Sequence, residues 1–174
     1  MPADYECADL GGSDLASCEG SVADGAPIDT AAVGPKTFAA TASDGAGNNA
    51  SASASYLVVY DFSGFFAPVD HPPTFNVMPA EKGVQVSFSL AGNKGLNIFA
   101  PGSPESHPIA CDAAAPQDKV EKTVKANSSG LVYNSRLKEY VYTWATNRTW
   151  RGSCRELVLE LTDGTEHRAL FRFT

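Results

Sequence analysis

The side chains best suited to chemistry in this chain are four cysteines, three histidines, a group of carboxylates and a stripe of aromatic rings. Cys7 and Cys18 lie in the first third of the 174 residues, and Cys111 and Cys154 in the last third. An even number of cysteines in a small chain reads as a disulfide framework made in an oxidising compartment, with the simplest pairing inside each cluster. A redox role needs a C-x-x-C pair or an isolated activated thiolate, and neither spacing fits. His71, His107 and His167 do not stand at finger-like spacing from a cysteine pair, so neither a zinc site nor any other cofactor is expected.

The acidic run from Asp4 to Asp29, with Asp44 in an Asp-Gly-Ala-Gly-Asn turn, offers oxygens of the kind Ca²⁺ takes. No EF-hand pattern orders them, so Asp9, Asp14 and Asp44 are weak calcium candidates beside a plain solvated acidic face. Tyr140, Tyr142 and Trp144 fall at i, i+2 and i+4 and share one face of a strand, with Trp150 just beyond. Exposed, that stripe is a platform for polysaccharide; turned inward, it is core, with Trp144 packed near an inter-sheet disulfide. Ser103 and Ser106 beside His107 form the one cluster resembling a nucleophile and base, but a Gly/Pro loop holds them and reads as a turn. With no G-x-S-x-G, no H-E-x-x-H and no facing carboxylate pair, no catalytic residue is assigned and a non-enzymatic protein is expected. Asn49, Asn127 and Asn147 open formal N-glycosylation sequons that read as chance.

The elements that must position these residues are strands. Gly, Pro, Ser and Thr interrupt the chain every dozen residues or so, and no long apolar run of helical period occurs. Strands are expected at Ala3–Ala8, Lys36–Ala42, Ala52–Tyr60, Val84–Leu90, Lys119–Lys125, Tyr140–Thr146, Arg155–Leu161 and His167–Phe173, an all-β pattern with sandwich-like spacing. The strongest local signal is the Asp163-Gly164 turn between the last two, a hairpin signature.

Charge divides the chain. Its net −7 falls on residues 1–59, where eight acids face Lys36 alone, and the remaining residues balance. This predicts two modules, 1–59 and 74–174, joined by a junction over 60–73. That junction is rich in aromatics and Pro, and therefore stiff. Phe62, Phe65 and Phe66 are expected to fill the space between modules as an interface, with an exposed aromatic patch as the competing reading. An acidic chain without a Lys/Arg cluster excludes a phosphate-tracking surface, so nucleic acid is not an expected partner. No stretch approaches the ~18 apolar residues of a membrane span, so no membrane insertion is expected. Met1-Pro2-Ala3 leads straight into polar sequence, and the expectation is a mature or excised piece of a longer exported protein.

Tyr5-Glu6-Cys7-Ala8-Asp9, Cys18-Glu19-Gly20, Ile28-Asp29-Thr30, Val33-Gly34 and the closing Ala42, Asp44, Gly47 and Asn48 together resemble the later two thirds of a bacterial immunoglobulin-like surface repeat. From Tyr60 onward the chain resembles the PxKF domain of secreted bacterial proteins. The carriers are Asp61-Phe62-Ser63-Gly64-Phe65-Phe66, Pro68-Val69-Asp70, Pro72-Pro73, Phe88-Ser89-Leu90, Ile109-Ala110-Cys111-Asp112, Trp144, Trp150, Cys154-Arg155 and Leu161-Thr162-Asp163-Gly164-Thr165. Gln85 and Ser87 stand where that family has Pro and Lys.

The resemblance implies two tandem immunoglobulin-like β-sandwich modules, the first lacking its N-terminal strand, and an extracellular or cell-surface location. It also implies a non-enzymatic structural or adhesive role. Partners are then other domains of the same secreted protein or neighbouring copies. One alternative is a self-assembling filament subunit using strand complementation at the open edge of the first module. The other is a carbohydrate-binding accessory of a secreted enzyme.

Overall fold

A computed structural model describes residues 1–112, 124–125 and 130–174. The chain divides into two compact units, Met1–Val58 and Val59–Thr174, and regular structure is nearly all β. Most of the expected strand Lys119–Lys125 and the Asn127 sequon lie outside the described residues.

The first unit is a single antiparallel sheet of β1 (Leu15–Gly20), β2 (Gly34–Asp44) and β3 (Asn49–Val58), in that order. β2 and β3 pair without a break from Gly34↔Val58 to Ser43↔Asn49. Residues directly opposite in an antiparallel pair share a face. Phe38, Ala40, Ala42, Ala50, Ala52 and Ala54 therefore line one side, and Thr37, Thr41, Ser43, Ser51, Ser53 and Ser55 the other. The expected strand at Ala3–Ala8 is an irregular segment, with one isolated bridge between Pro2 and Pro27. It is laid over the sheet by the Cys7–Cys18 bond and by Tyr5, whose hydroxyl accepts from Gly20 N at 2.9 Å and whose ring sits 5.5 Å from that of Phe38. A Cβ on residue 20 would come within 2.6 Å of the Tyr5 ring, so the glycine is what admits this contact.

A sandwich was expected over 1–59, and one sheet is found. The reason is composition: Ala and Ser strands supply too little apolar volume for a second layer, and of the unit's apolar side chains only Ala3 is buried.

The second unit has two sheets. One has the order β4 (Phe65–Phe66), β6 (Val84–Phe88), β10 (Glu139–Trp144) and β9 (Leu131–Asn134). The other runs β5 (Phe75–Met78), β12 (Glu166–Phe173), β11 (Cys154–Glu160), β7 (Glu105–Ile109) and β8 (Val124–Lys125). All pairings are antiparallel except β12 with β5. Val86, Phe88, Tyr140, Tyr142 and Trp144 from the first sheet and Leu157, Leu159, Phe171 and Phe173 from the second form one sandwich core. The Asp163-Gly164 turn joins β11 to β12 in unbroken register from Cys154↔Arg172 to Glu160↔Glu166, with Gly164 at φ 84°.

One open reading is decided here and two expectations change. Tyr140, Tyr142 and Trp144 have 0% exposure, so the stripe is core and offers no face to a sugar. Residues 60–73 belong to the second unit rather than to a junction. There Phe65 and Phe66 pair with β6, Phe65 is buried, and Phe62 packs against that unit's core. Linear position between two modules misled, because a strand-edge segment of one module looks like a linker when its partner strand is more than twenty residues away. The Cys111–Cys154 bond, finally, ties β11 to the segment following β7, its neighbour in the same sheet, and does not bridge the sheets.

The two disulfides then carry unequal shares of their units. Closing the loops between Cys7 and Cys18 and between Cys111 and Cys154, with separations of 11 and 43, is worth about 2.8 and about 4 kcal/mol respectively. Without a hydrophobic core the first unit has little else to draw on. Cys7→Ser/Cys18→Ser is expected to strip amide-exchange protection from β1–β3 while β10–β12 keep theirs. Unchanged protection in β2 and β3 would show that the sheet stands without its bridge.

Candidate functional site

The second unit holds a groove of about 480 Å³ lined by Phe62, Ser63, Gly64, Phe65, His71, Pro72, Glu166, His167 and Arg168. Two short-range features build its walls. Gly64 has φ 101°, a conformation that favours glycine. A Cβ there would also lie 2.6 Å from His71 Nε2, so the close approach of the imidazole depends on that glycine. Phe65 N then donates to His71 Nε2 at 3.2 Å, which fixes the ring against the strand. Across the groove the His167 ring stacks on Phe62 with centroids 3.6 Å apart and planes 8° apart.

His167 ends a short hydrogen-bonded chain. Asp163, buried at the hairpin turn, accepts from Tyr60 N at 2.6 Å, Thr165 N at 2.9 Å and Thr165 Oγ1 at 2.7 Å. Because the Thr165 hydroxyl gives its proton to that carboxylate, its lone pair accepts from His167 Nε2 at 3.1 Å. Burial works to raise the Asp163 carboxyl, but the bonds from Thr165 and Tyr60, aided by His167, outweigh it and hold it below the usual range. Burial likewise lowers His167, against the attraction of Asp163 and reinforced by His71. The polarity of the chain runs from imidazole through hydroxyl to carboxylate, so Thr165 is not activated as a nucleophile.

Beside the groove, buried Glu156 accepts from His107 Nε2 at 2.9 Å and from Arg168 NH1 at 2.7 Å, and Arg168 also reaches Glu166. Ser106 and His107 occupy adjacent positions of β7 and so face opposite ways. Ser106 accepts from Arg155 Nε at 3.4 Å, while Ser103 Oγ accepts from Glu160 N at 2.8 Å. The Ser103, Ser106 and His107 cluster is thus three separate structural contacts, and residues 105–109 are strand where a turn was expected.

Trp150 is half-buried on a short 3₁₀ turn, Arg148–Trp150, capped by Asn147. The guanidinium of Arg155 lies 4.3 Å from its ring centroid and occupies one face. Two of the three calcium candidates, Asp9 and Asp44, accept hydrogen bonds. Asp9 accepts from Gly11 N and Ser13 N, and Asp44 from Ala46 N, Asn48 N and Asn48 Nδ2. Ser13 Oγ donates to Asp44 Oδ2 at 2.8 Å. The Asn48 side chain foremost, then the neighbouring donors, lowers Asp44 to about 2. Asp14 sits at φ 58° at the entry to β1. Among the described residues no three metal-ligating side chains converge.

Sequence reasoning missed the groove. Its one legible signal was His167 following the Asp163-Gly164-Thr165 turn by two or three residues, a spacing that lets the turn hold the ring. Comparison with protein-family models, with curated proteins and with solved structures finds no match.

The two lowered groups set a pH dependence. A folded-state pKa below the unfolded value means that the unfolded chain binds more protons, so stability falls as pH falls. The second unit is therefore expected to lose stability on acidification, first as pH drops below the ordinary histidine value of 6.5 and again below the ordinary aspartate value of 3.8. Chemical denaturation followed by tryptophan fluorescence across pH reads this directly. His167→Gln should remove the first decline and leave the second, and a first decline that survives the substitution would assign it elsewhere.

Proposed function

We propose that this chain is a non-enzymatic structural or adhesive module of a secreted or surface-displayed protein. The observation that carries the reading is the pair of disulfides, one in each unit, with no free cysteine. That pattern belongs to an oxidising environment outside the cytosol. A sealed aromatic core, a groove whose polar groups are engaged with one another, and ordered acidic turns supply rigidity rather than a reactive group. No helix among the described residues is long and apolar enough to cross a membrane. The finer reading is a piece of a bacterial immunoglobulin-like repeat, represented by the three-stranded sheet, followed by a PxKF-type sandwich. It rests on the residues that carry the resemblance.

A carbohydrate-accessory role keeps less support, since Tyr140, Tyr142 and Trp144 are inside and Trp150 is half covered by Arg155. Phe62, stacked beneath His167 at the groove, is what remains for it.

Thiol trapping and mass spectrometry on the protein taken from its source cells and their medium tests the proposal. The expected result is four oxidised cysteines in material outside the cytosol, no turnover of ester, glycoside or peptide substrates, and resistance to trypsin that reduction abolishes. Free thiols in a cytosolic pool, or sustained turnover, would overturn it.

A further inference from the structure

We propose that β3 is a docking edge for a second copy of this chain, the two strands pairing antiparallel about a two-fold axis into one continuous sheet. The two edges of the first unit's sheet are built differently. β1 is short, carries Glu19, and has a register break between Leu15 and Ser17 where it meets β2. Brevity, charge and bulges are the devices that stop an edge strand from accepting another chain. β3 has none of them. It runs for 10 residues, pairs with β2 without interruption, and is exposed at every position from Asn49 to Ser55. Residues 45–60 contain no charged side chain and no proline, although one base faces eight acids in the unit as a whole.

The strand also selects its occupant. Ala50, Ala52 and Ala54 alternate with Ser51, Ser53 and Ser55, so this stretch reads nearly the same in both directions about Ala52 or Ser53. A two-fold interface must be self-complementary, each residue meeting its counterpart reciprocally. Centred on Ser53, antiparallel pairing sets Ala52 against Ala54 and Ser51 against Ser55 and keeps both alanine faces on one side. Side chains this small leave the approach unobstructed. Opposed hydroxyls can bond across the seam as Ser17 Oγ and Ser43 Oγ already do at 2.6 Å between β1 and β2.

The joined sheet has the order β1-β2-β3-β3-β2-β1, with the blunted edges outward and the bare ones removed. Each copy spends its one bare edge, so association closes at a dimer and does not propagate into a filament. The acidic units repel one another across that seam, and salt that screens them strengthens the pairing.

Sedimentation velocity of the oxidised full chain over a wide concentration range, at low and high salt, tests this. The expected result is a monomer–dimer equilibrium tightened by salt, with β3 amides gaining exchange protection at high concentration. Ser51→Lys/Ser53→Lys places like charges across the seam on an exposed face and should weaken association by about tenfold or more, as should Ser51→Glu/Ser53→Glu. An equimolar mixture of the two variants should recover it, which a misfolded variant could not do. A monomer under all conditions, a dimer indifferent to both variants, or a mixture that fails to recover would each overturn the proposal.

Discussion

The second unit depends on one dry seam, where alternate residues of β10 meet the inward faces of β11 and β12. Trp144 sits edge-on to Phe171 and Phe173 at 5.1 and 5.6 Å between ring centroids, and Tyr140 stacks on Phe88 at 5.5 Å. Burying aromatic rings supplies large apolar area, but each polar atom carried inside needs a partner. Tyr140 meets that demand, since its hydroxyl accepts from Lys94 N at 2.6 Å and lies 2.9 Å from Gly95 O, a carbonyl to which it donates. The loop after β6 is thereby fixed by a core residue. Burial pushes Tyr142 up to about 12, so its phenol stays neutral at any physiological pH. Trp144 is the exception: its buried Nε1 finds no acceptor among the described residues. A penalty of about 1–3 kcal/mol is the usual cost of such a group, and ring packing has to offset it.

The first unit obeys a different constraint. Its strands are held by backbone ladders, by serine and alanine pairs, and by one disulfide, with almost nothing apolar sealed from water. Local side chains do the work that a core does elsewhere. Asp44 gathers the β2–β3 turn through Ala46 and Asn48, and Lys36 pairs with Asp29 at 2.7 Å. The exposed Lys36 pair adds little in solvent. Stability is therefore uneven along the chain, high where rings interlock and low where the sheet has almost no apolar layer sealed from water.

How far the fold was legible follows from how local its signals are. The hairpin at Asp163-Gly164, the long strand of alternating Tyr and Trp, and cysteine pairing within clusters depend on neighbours in sequence, and each could be read there. β1 could not, because Leu15-Ala-Ser-Cys-Glu-Gly20 has weak strand propensity and becomes a strand by pairing with β2. Nor could the roles of Phe62 and Phe65, set by β6 and His167 far along the chain. The groove joins residues from 62 to 168, and single-sequence patterning carries no information about such a meeting. Burial of the Tyr/Trp stripe was one of two readings that the sequence left open, since alternation tells which residues share a face and not which face is inside.

The parallel pairing of β5 with β12 has a consequence for the order of synthesis. β12 lies between β5 and β11 in its sheet, and among the described residues Phe75–Met78 has no other strand to pair with until Leu170–Phe173 arrives. Thr174 N donates to Met78 O at 3.0 Å and Ala80 N to Thr174 O at 3.0 Å, so the residue after β12 is stitched in as well. A chain emerging from a ribosome or threading through a transport pore cannot complete this sheet until its last described strand is free. The second unit thus stays open until β12 has emerged, and its closure is governed by that latest-arriving strand.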